Sequence, residues 1–165
     1  MPILDYKYVS KHPIGLIYQL IIDVEKYPEF LPWCNAAKIK EKKKNHFIAD
    51  LHITFKIISE SYCSRVELKP PKKGYAEINV SLISGPFKRL HNNWKLRKVD
   101  DNQTEIEFFI DFEFKSSLLD KLISLMFYKA CEKMLNAFEA RANSLFDNFY
   151  GSETTARNRR RIKKA

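Results

Sequence analysis

Cysteine is scarce. Cys34, Cys63 and Cys131 are odd in number, far apart and form no C-x-x-C, which excludes both a disulfide framework and a zinc-type spacing. A reducing cytoplasm is the compartment that fits. Long apolar runs are also absent: no stretch approaches the roughly 20 residues that span a bilayer, and residues 1–9 alternate like a strand without a signal or Arg-rich transit pattern. The chain therefore reads as soluble. Enzyme signatures are missing too, with no H-x-x-x-H, G-x-S-x-G, P-loop or dinucleotide fingerprint. His12, His46, His52 and His91 are scattered and read as solvent-facing. Glu105, Glu107, Asp111 and Glu113 fall on the outward face of one strand. Such a solvated stripe gives no carboxyl the raised pKa that general acid catalysis needs. No catalytic residue, metal ligand or required cofactor is expected.

What is present begins with size and charge. At 165 residues and 45% hydrophobic content the chain can bury the core of one domain. The formal charge is +9, and Arg157, Arg159, Arg160, Arg161, Lys163 and Lys164 supply six of those nine with no acid among them. High pI thus describes a tail. With no aromatic residue interleaved, that tail suits sequence-independent, salt-sensitive attachment to phosphate and not sequence-specific DNA reading. Two segments are expected: a domain over residues 1–150 and a disordered basic tail over 151–165, where apolar bulk almost vanishes.

Along the chain, Ile3 to Val9 predicts a strand, and Pro13 opens a helix through Ile14, Ile17, Tyr18, Ile21 and Ile22. Ala37 to Lys42 predicts a short strand. Phe47, Ala49, Leu51, Ile53, Phe55 and Ile57 then occupy every second position, the pattern of a half-buried antiparallel strand. Ile58 to Leu68 follows, Pro70-Pro71-Lys72-Lys73-Gly74 marks a turn, and Ala76, Ile78, Val80 and Leu82 alternate again. Ser84-Gly85-Pro86 breaks that strand before Phe87 to Val99, and Asp100-Asp101-Asn102 precedes a final strand through Ile106, Phe108, Ile110, Phe112 and Phe114. Ser117 with Asp120 predicts a capped helix reaching about Phe146. The sum is an α+β fold in which a curved antiparallel sheet of about six to seven strands wraps one long C-terminal helix.

One stretch does not fit this alternation. Asp23 to Cys34, D-V-E-K-Y-P-E-F-L-P-W-C, holds two prolines and four large apolar residues, so Tyr27 and Leu31 should mark bends of a compact plug packed on the sheet. This stretch, the run Gly85-Pro86-Phe87-Lys88-Arg89-Leu90 followed by Trp94, and Phe108 to Phe114 entering a long helix together resemble START-like proteins. That family includes coenzyme-Q-binding proteins and the ribosome association toxin RatA. The resemblance covers residues 1–147 and implies a helix-grip fold of the START-like, Bet v 1-like kind.

The apolar rows alone cannot separate a packed core from a ligand cavity, since alternation specifies only a buried face. The family resemblance implies a tunnel holding a hydrophobic ligand, with ubiquinone or a related lipid bound. Trp94 is its first candidate contact, and Leu51, Phe55, Leu90, Phe112, Phe114, Leu122 and Met126 are the expected remainder. Leu118 and Leu125 lie round the side of the last helix, where charge would be usual. Either the plug caps them or they form an exposed apolar lip; with Tyr27, Phe30, Leu31 and Trp33 they would make a gate facing a membrane. Two roles follow from the resemblance. One is non-enzymatic binding and delivery of a prenylquinone, from the cytoplasm or from the inner face of a bacterial inner membrane. The other is binding the large ribosomal subunit and blocking subunit association. A cyclase, the third class, is disfavoured because no acid–base pair is present.

Overall fold

Strand pairing organises the molecule. The computed structural model describes residues 3–164, and side chains through residue 147. Its elements are β1 (Ile3–Ser10), α1 (Ile14–Ile22), a 3-10 helix (Val24–Glu29), β2 (Cys34–Lys42), β3 (His46–Phe55), β4 (Ile58–Lys72), β5 (Tyr75–Ser84), β6 (Phe87–Asp100), β7 (Gln103–Phe114) and α2 (Ser117–Lys164). All pairings are antiparallel, in the order β1-β7-β6-β5-β4-β3-β2. The seven strands curl around α2, giving the helix-grip architecture that the element order predicts.

The turns refine the sequence reading. Ile57, which the alternation assigns inward, is 77% exposed, because Phe55 pairs with Ile58 and Lys56 takes φ 54 in a two-residue turn. Pro70 and Pro71 do not form the next turn. They lie inside β4 at a register shift between Lys69 and Lys72, beyond the last β3 pairing at Glu67, where a missing N–H costs no ladder bond. The turn itself is Lys73-Gly74, both at positive φ (51° and 76°), the geometry a two-residue hairpin favours.

The helices also depart from the sequence reading. Ser116, not Ser117, caps α2, its Oγ accepting from the Leu119 N–H, while the Asp120 carboxylate reaches back to the Phe114 N–H. Tyr27 is no bend: it lies within the 3-10 helix, and its carbonyl accepts from the Phe30 and Leu31 N–H groups, so Pro28 removes little. At its far end α2 continues to Lys164 instead of stopping near Phe146. Residues 151–164 contain one glycine, no proline and many good helix formers. The side chains of the basic tail lie outside the described residues.

His12 corrects the expectation of solvent-facing histidines. It is 3% exposed at the β1–α1 junction, its Nε2 2.6 Å from Asn143 Oδ1 and its ring against Phe146. Its carbonyl accepts from Thr104 Oγ1, and the Ser10 hydroxyl donates to Glu139. A strand-to-helix joint thereby grips the far half of α2 through polar contacts that periodicity does not reveal. On the outer face the acid stripe is paired: Arg97 meets Glu105 and Glu107, and Arg89 meets Asp111 and Glu113. The Arg97 hydrogen bond holds the Glu107 carboxyl below its usual range.

Candidate functional site

The inner rows of the sheet and α2 do not close on each other completely. One packed cluster joins Phe47, Ile78, Trp94, Leu96 and Phe108 to Leu135 and Phe138 of α2, and a second joins Ile58, Phe87, Phe112 and Phe114 to Ile123 and Phe127. Touching both is a cavity of about 220 Å³. Its wall is largely aromatic and aliphatic. Leu51 and Phe55 of β3, Leu90 and Trp94 of β6, and Phe112 and Phe114 of β7 all line it.

Leu122 and Met126 do not. The helix turns Ile123, Phe127, Ala130, Cys131, Met134 and Phe138 to the cavity, an i, i+4, i+7 series that leaves Leu122 about 130° and Met126 about 90° off its centre. The apolar excess at the start of α2 hides this phase, which becomes plain only when the pattern is followed as far as Phe138. Trp94 is 4% exposed, its ring 4.5 Å from Phe108 and 5.4 Å from Phe138. It is thus a core anchor as well as a wall.

The plug divides. Tyr27, Leu31 and Trp33 line the cavity, whereas Phe30 stands outside it, edge-on to Phe138 and under the Arg141 guanidinium. Arg141 also pairs with Glu29, and the Tyr27 hydroxyl donates to the Ile21 carbonyl. These ties bind the 3-10 helix to the middle of α2. Leu118 lies 20 residues before Phe138, roughly 30 Å along the axis, so Tyr27 and Phe30 do not meet Leu118 and Leu125. Trp33 stands edge-on to Phe55, which packs against the cluster at that end.

There Leu118 is 66% and Leu125 84% exposed. Ile58, Phe87, Phe114 and Ile123 share one cluster, which brings the β3–β4, β5–β6 and β7–α2 turns to this same end. Ile57, Ile83 and Tyr128 add exposed apolar surface, and Lys56, Lys88, Lys115, Lys121 and Lys129 are exposed around it.

Few polar groups reach the cavity. Tyr27, Tyr62, Ser64, Asn92, Cys34 and Cys131 line it, but no carboxylate, imidazole or cationic side chain among the described residues does. Burial raises the Tyr62 hydroxyl above its ordinary range and pushes the Cys131 thiol up to about 12, so both stay protonated near neutrality. Sequence reasoning misses these groups, although Asn92 shares the parity of Leu90 and Trp94 and so lies on their face of β6.

A cavity between a curved sheet and a gripping helix, free of charged side chains, marks a hydrophobic-ligand fold. Residues 10–139 match the family described as polyketide cyclase / dehydrase and lipid transport, and the chain belongs to that family. A ribosome association toxin RatA from Rickettsia prowazekii is 41% identical over 129 residues, covering 78% of this chain and 88% of that protein. A mitochondrial coenzyme Q-binding protein COQ10 from Dictyostelium discoideum is 34% identical over 149 residues, covering 88% and 69%. A START superfamily protein from Mycobacterium smegmatis superposes with a TM-score of 0.73 at 16% identity, covering 87% of this chain and 98% of that one, a likeness of fold alone.

Proposed function

We propose that this chain is a non-enzymatic carrier that holds the ring of a prenylquinone or similar lipid in the cavity and exchanges it with a membrane surface. The observation that carries this reading is the uncharged, aromatic-lined cavity of about 220 Å³ at the centre of the grip. It suits a substituted ring and a few further carbons, each buried CH₂ contributing about 0.8 kcal/mol. A long isoprenoid tail would have to run outwards. A wall without a carboxylate or imidazole supplies no acid–base pair for cyclisation, and the relative named for coenzyme Q binding supports the ligand class.

Mass spectrometry of an organic extract of the purified protein tests this directly: a stoichiometric prenylquinone is the expected result, and a lipid-free extract counts against it. Because Trp94 lines the cavity, its indole emission in a Trp33→Phe background should change on titration with a short-tailed quinone. An unchanged spectrum would remove Trp94 from the site. Trp94→Ala is the poorer probe, since deleting so buried a ring should itself cost about 3–5 kcal/mol of stability.

Delivery assigns a role to the apolar end. None of the described helices is long and apolar enough to cross a membrane; in this reading exchange occurs at a membrane surface, on its cytoplasmic face. Leu118, Leu125 and Tyr128 ringed by lysines suit shallow insertion among anionic headgroups. Leu118→Lys with Leu125→Lys should leave quinone affinity in detergent nearly unchanged, as neither residue lines the cavity, but slow transfer to neutral liposomes severalfold. Equal transfer rates would exclude this end as the docking surface.

A second reading rests on the 41% identity to a ribosome association toxin and on the six cations of residues 157–165. The chain would then bind the large ribosomal subunit and oppose subunit association. Co-sedimentation of lipid-free protein with large subunits, lost when the chain is cut after Tyr150, is the outcome that favours it.

A further inference from the structure

The sheet has two edges, β1 and β2, and the sequence treats them differently. β2 carries the devices that keep an edge from pairing with another chain. Lys38, Lys40 and Lys42 stand exposed along it, its register with β3 slips between Cys34 and Ala36 and again between Ile39 and Glu41, and its Ile39 N–H donates to Glu25 of the 3-10 helix. β1 has neither slip nor proline: its pairing with β7 runs unbroken from Ile3 opposite Asp111 to Ser10 opposite Thr104. Beyond that ladder no backbone group of Ile3–Ser10 hydrogen-bonds to a described residue. Every second residue of β1 therefore turns a free N–H and C=O outwards. Ile3, Tyr6 and Val9 are about half exposed along this edge.

The charges of β1 specify what the edge fits. Asp5 and Lys7 are its two ionic residues, both exposed and both on the outer face of the sheet. Lys7 reaches Glu105 at 3.8 Å, whereas Asp5 makes no ion pair with a described residue. A second β1 laid antiparallel against the first, with most of its length paired, can be centred on Asp5, on Tyr6 or on Lys7. Centring on Asp5 sets that carboxylate against its own copy, and centring on Lys7 does the same with two ammonium groups; like charges directly opposite are unfavourable. Centring on Tyr6 sets each Asp5 against a Lys7 and each Ile3 against a Val9, with the two Tyr6 rings side by side on the inner face. Such opposite-charge, aliphatic and aromatic pairs all stabilise a ladder. Read backwards, the strand is its own complement, in one register.

We infer that β1 is the interface of a two-fold homodimer, in which two sheets join edge to edge through an antiparallel β1–β1 pair centred on Tyr6. An isologous contact of this kind closes after two copies, so it covers the edge without starting a fibre. Because Ile3 lies towards the start of α2, the antiparallel arrangement points the two Leu118 ends in opposite directions. A single strand pair is a small interface, so the dimer exchanges with monomer as concentration changes. The argument is independent of what the cavity holds.

Sedimentation equilibrium of the full-length protein between about 5 and about 500 µM, the range of small transient interfaces, should show reversible dimerisation. Asp5→Lys alone and Lys7→Asp alone should each weaken it at least about tenfold, since both charge contacts become repulsive. Both side chains are exposed, so the circular dichroism and melting temperature of these variants should match the parent's. Combining Asp5→Lys with Lys7→Asp in one chain should restore the dimer, and so should mixing the two single variants, whose edges complement each other. A parent that stays monomeric, a dimer indifferent to the single reversals, or a charge swap that fails to restore it would overturn the assignment. So would a dimer lost only with Leu118→Lys and Leu125→Lys, which would move the contact to the apolar end. Amide hydrogen exchange tests the same contact without substitution: Ile3–Ser10 should exchange more slowly at the higher concentration, and equal rates would refute the interface.

Discussion

Phe138→Ala should lower the unfolding free energy by about 3–5 kcal/mol, the usual cost of emptying a buried phenylalanine site. Phe138 is 5% exposed and is the meeting point of three other rings, with Tyr27 at 5.4 Å, Phe30 at 5.3 Å and Trp94 at 5.4 Å, all edge-on. Its loss would detach the 3-10 helix from α2 and α2 from β6 together. Neighbouring atoms cannot easily fill the space, because the cavity already lies alongside. Urea unfolding should show the midpoint fall with the slope little changed. A loss below about 1 kcal/mol would mean that the aromatic cluster does not hold the plug.

Gly85→Ala should be the most damaging glycine-to-alanine change among the described glycines. Gly85 has φ +149°, a conformation side chains rarely adopt, and an added Cβ would lie 2.7 Å from Tyr62 Cβ and 3.2 Å from Tyr62 Cα. Strain of this kind costs on the order of 1–3 kcal/mol before any clash is counted. Part of the contact is with the β4 backbone, so a rotamer change cannot relieve it. The Gly85-Pro86-Phe87 run thereby acquires a physical meaning: it lets the β5–β6 connection lie directly on β4 and sets Phe87 against Tyr62 in the cavity wall. Gly15→Ala provides the contrast. Nothing lies within 4 Å of that position in α1, and alanine there should stabilise by up to about 1 kcal/mol. Thermal unfolding of the two variants should therefore shift in opposite directions; equal shifts would refute the argument.

These sites show what the sequence displays and what it hides. Period-two alternation in β3 and β7 exposes the inner rows directly and puts four of the eight expected ligand residues on the cavity wall, where Leu90 and Trp94 of β6 join them. Leu122 and Met126 miss it because α2 begins with apolar residues on several faces, so the local window does not determine phase. Ile57 belongs by pattern to an alternating row that a two-residue turn interrupts. His12 is buried through partners on α2, beyond the reach of any local pattern. Periodicity is equally silent on whether two apolar surfaces touch or enclose a space. That distinction depends on how far the sheet curls, which no short segment encodes.

The sheet order also has a consequence for how the chain is made. Strands β2 to β7 each pair with the next in sequence, so they can add one after another as the polypeptide emerges, but β1 pairs only with β7, Ile3 opposite Asp111 and Ser10 opposite Thr104. The first strand synthesised is among the last to find its place. Until Phe114 has cleared the exit tunnel, residues 3–10 have no partner. For a further interval the β7 edge, with Phe108 and Phe112 beside it, is open to strands of other nascent chains. Closure across so long a separation is expected to be the slow step of folding. It also marks the period of greatest aggregation risk, and a chain shortened by the loss of β1 should accumulate in that state.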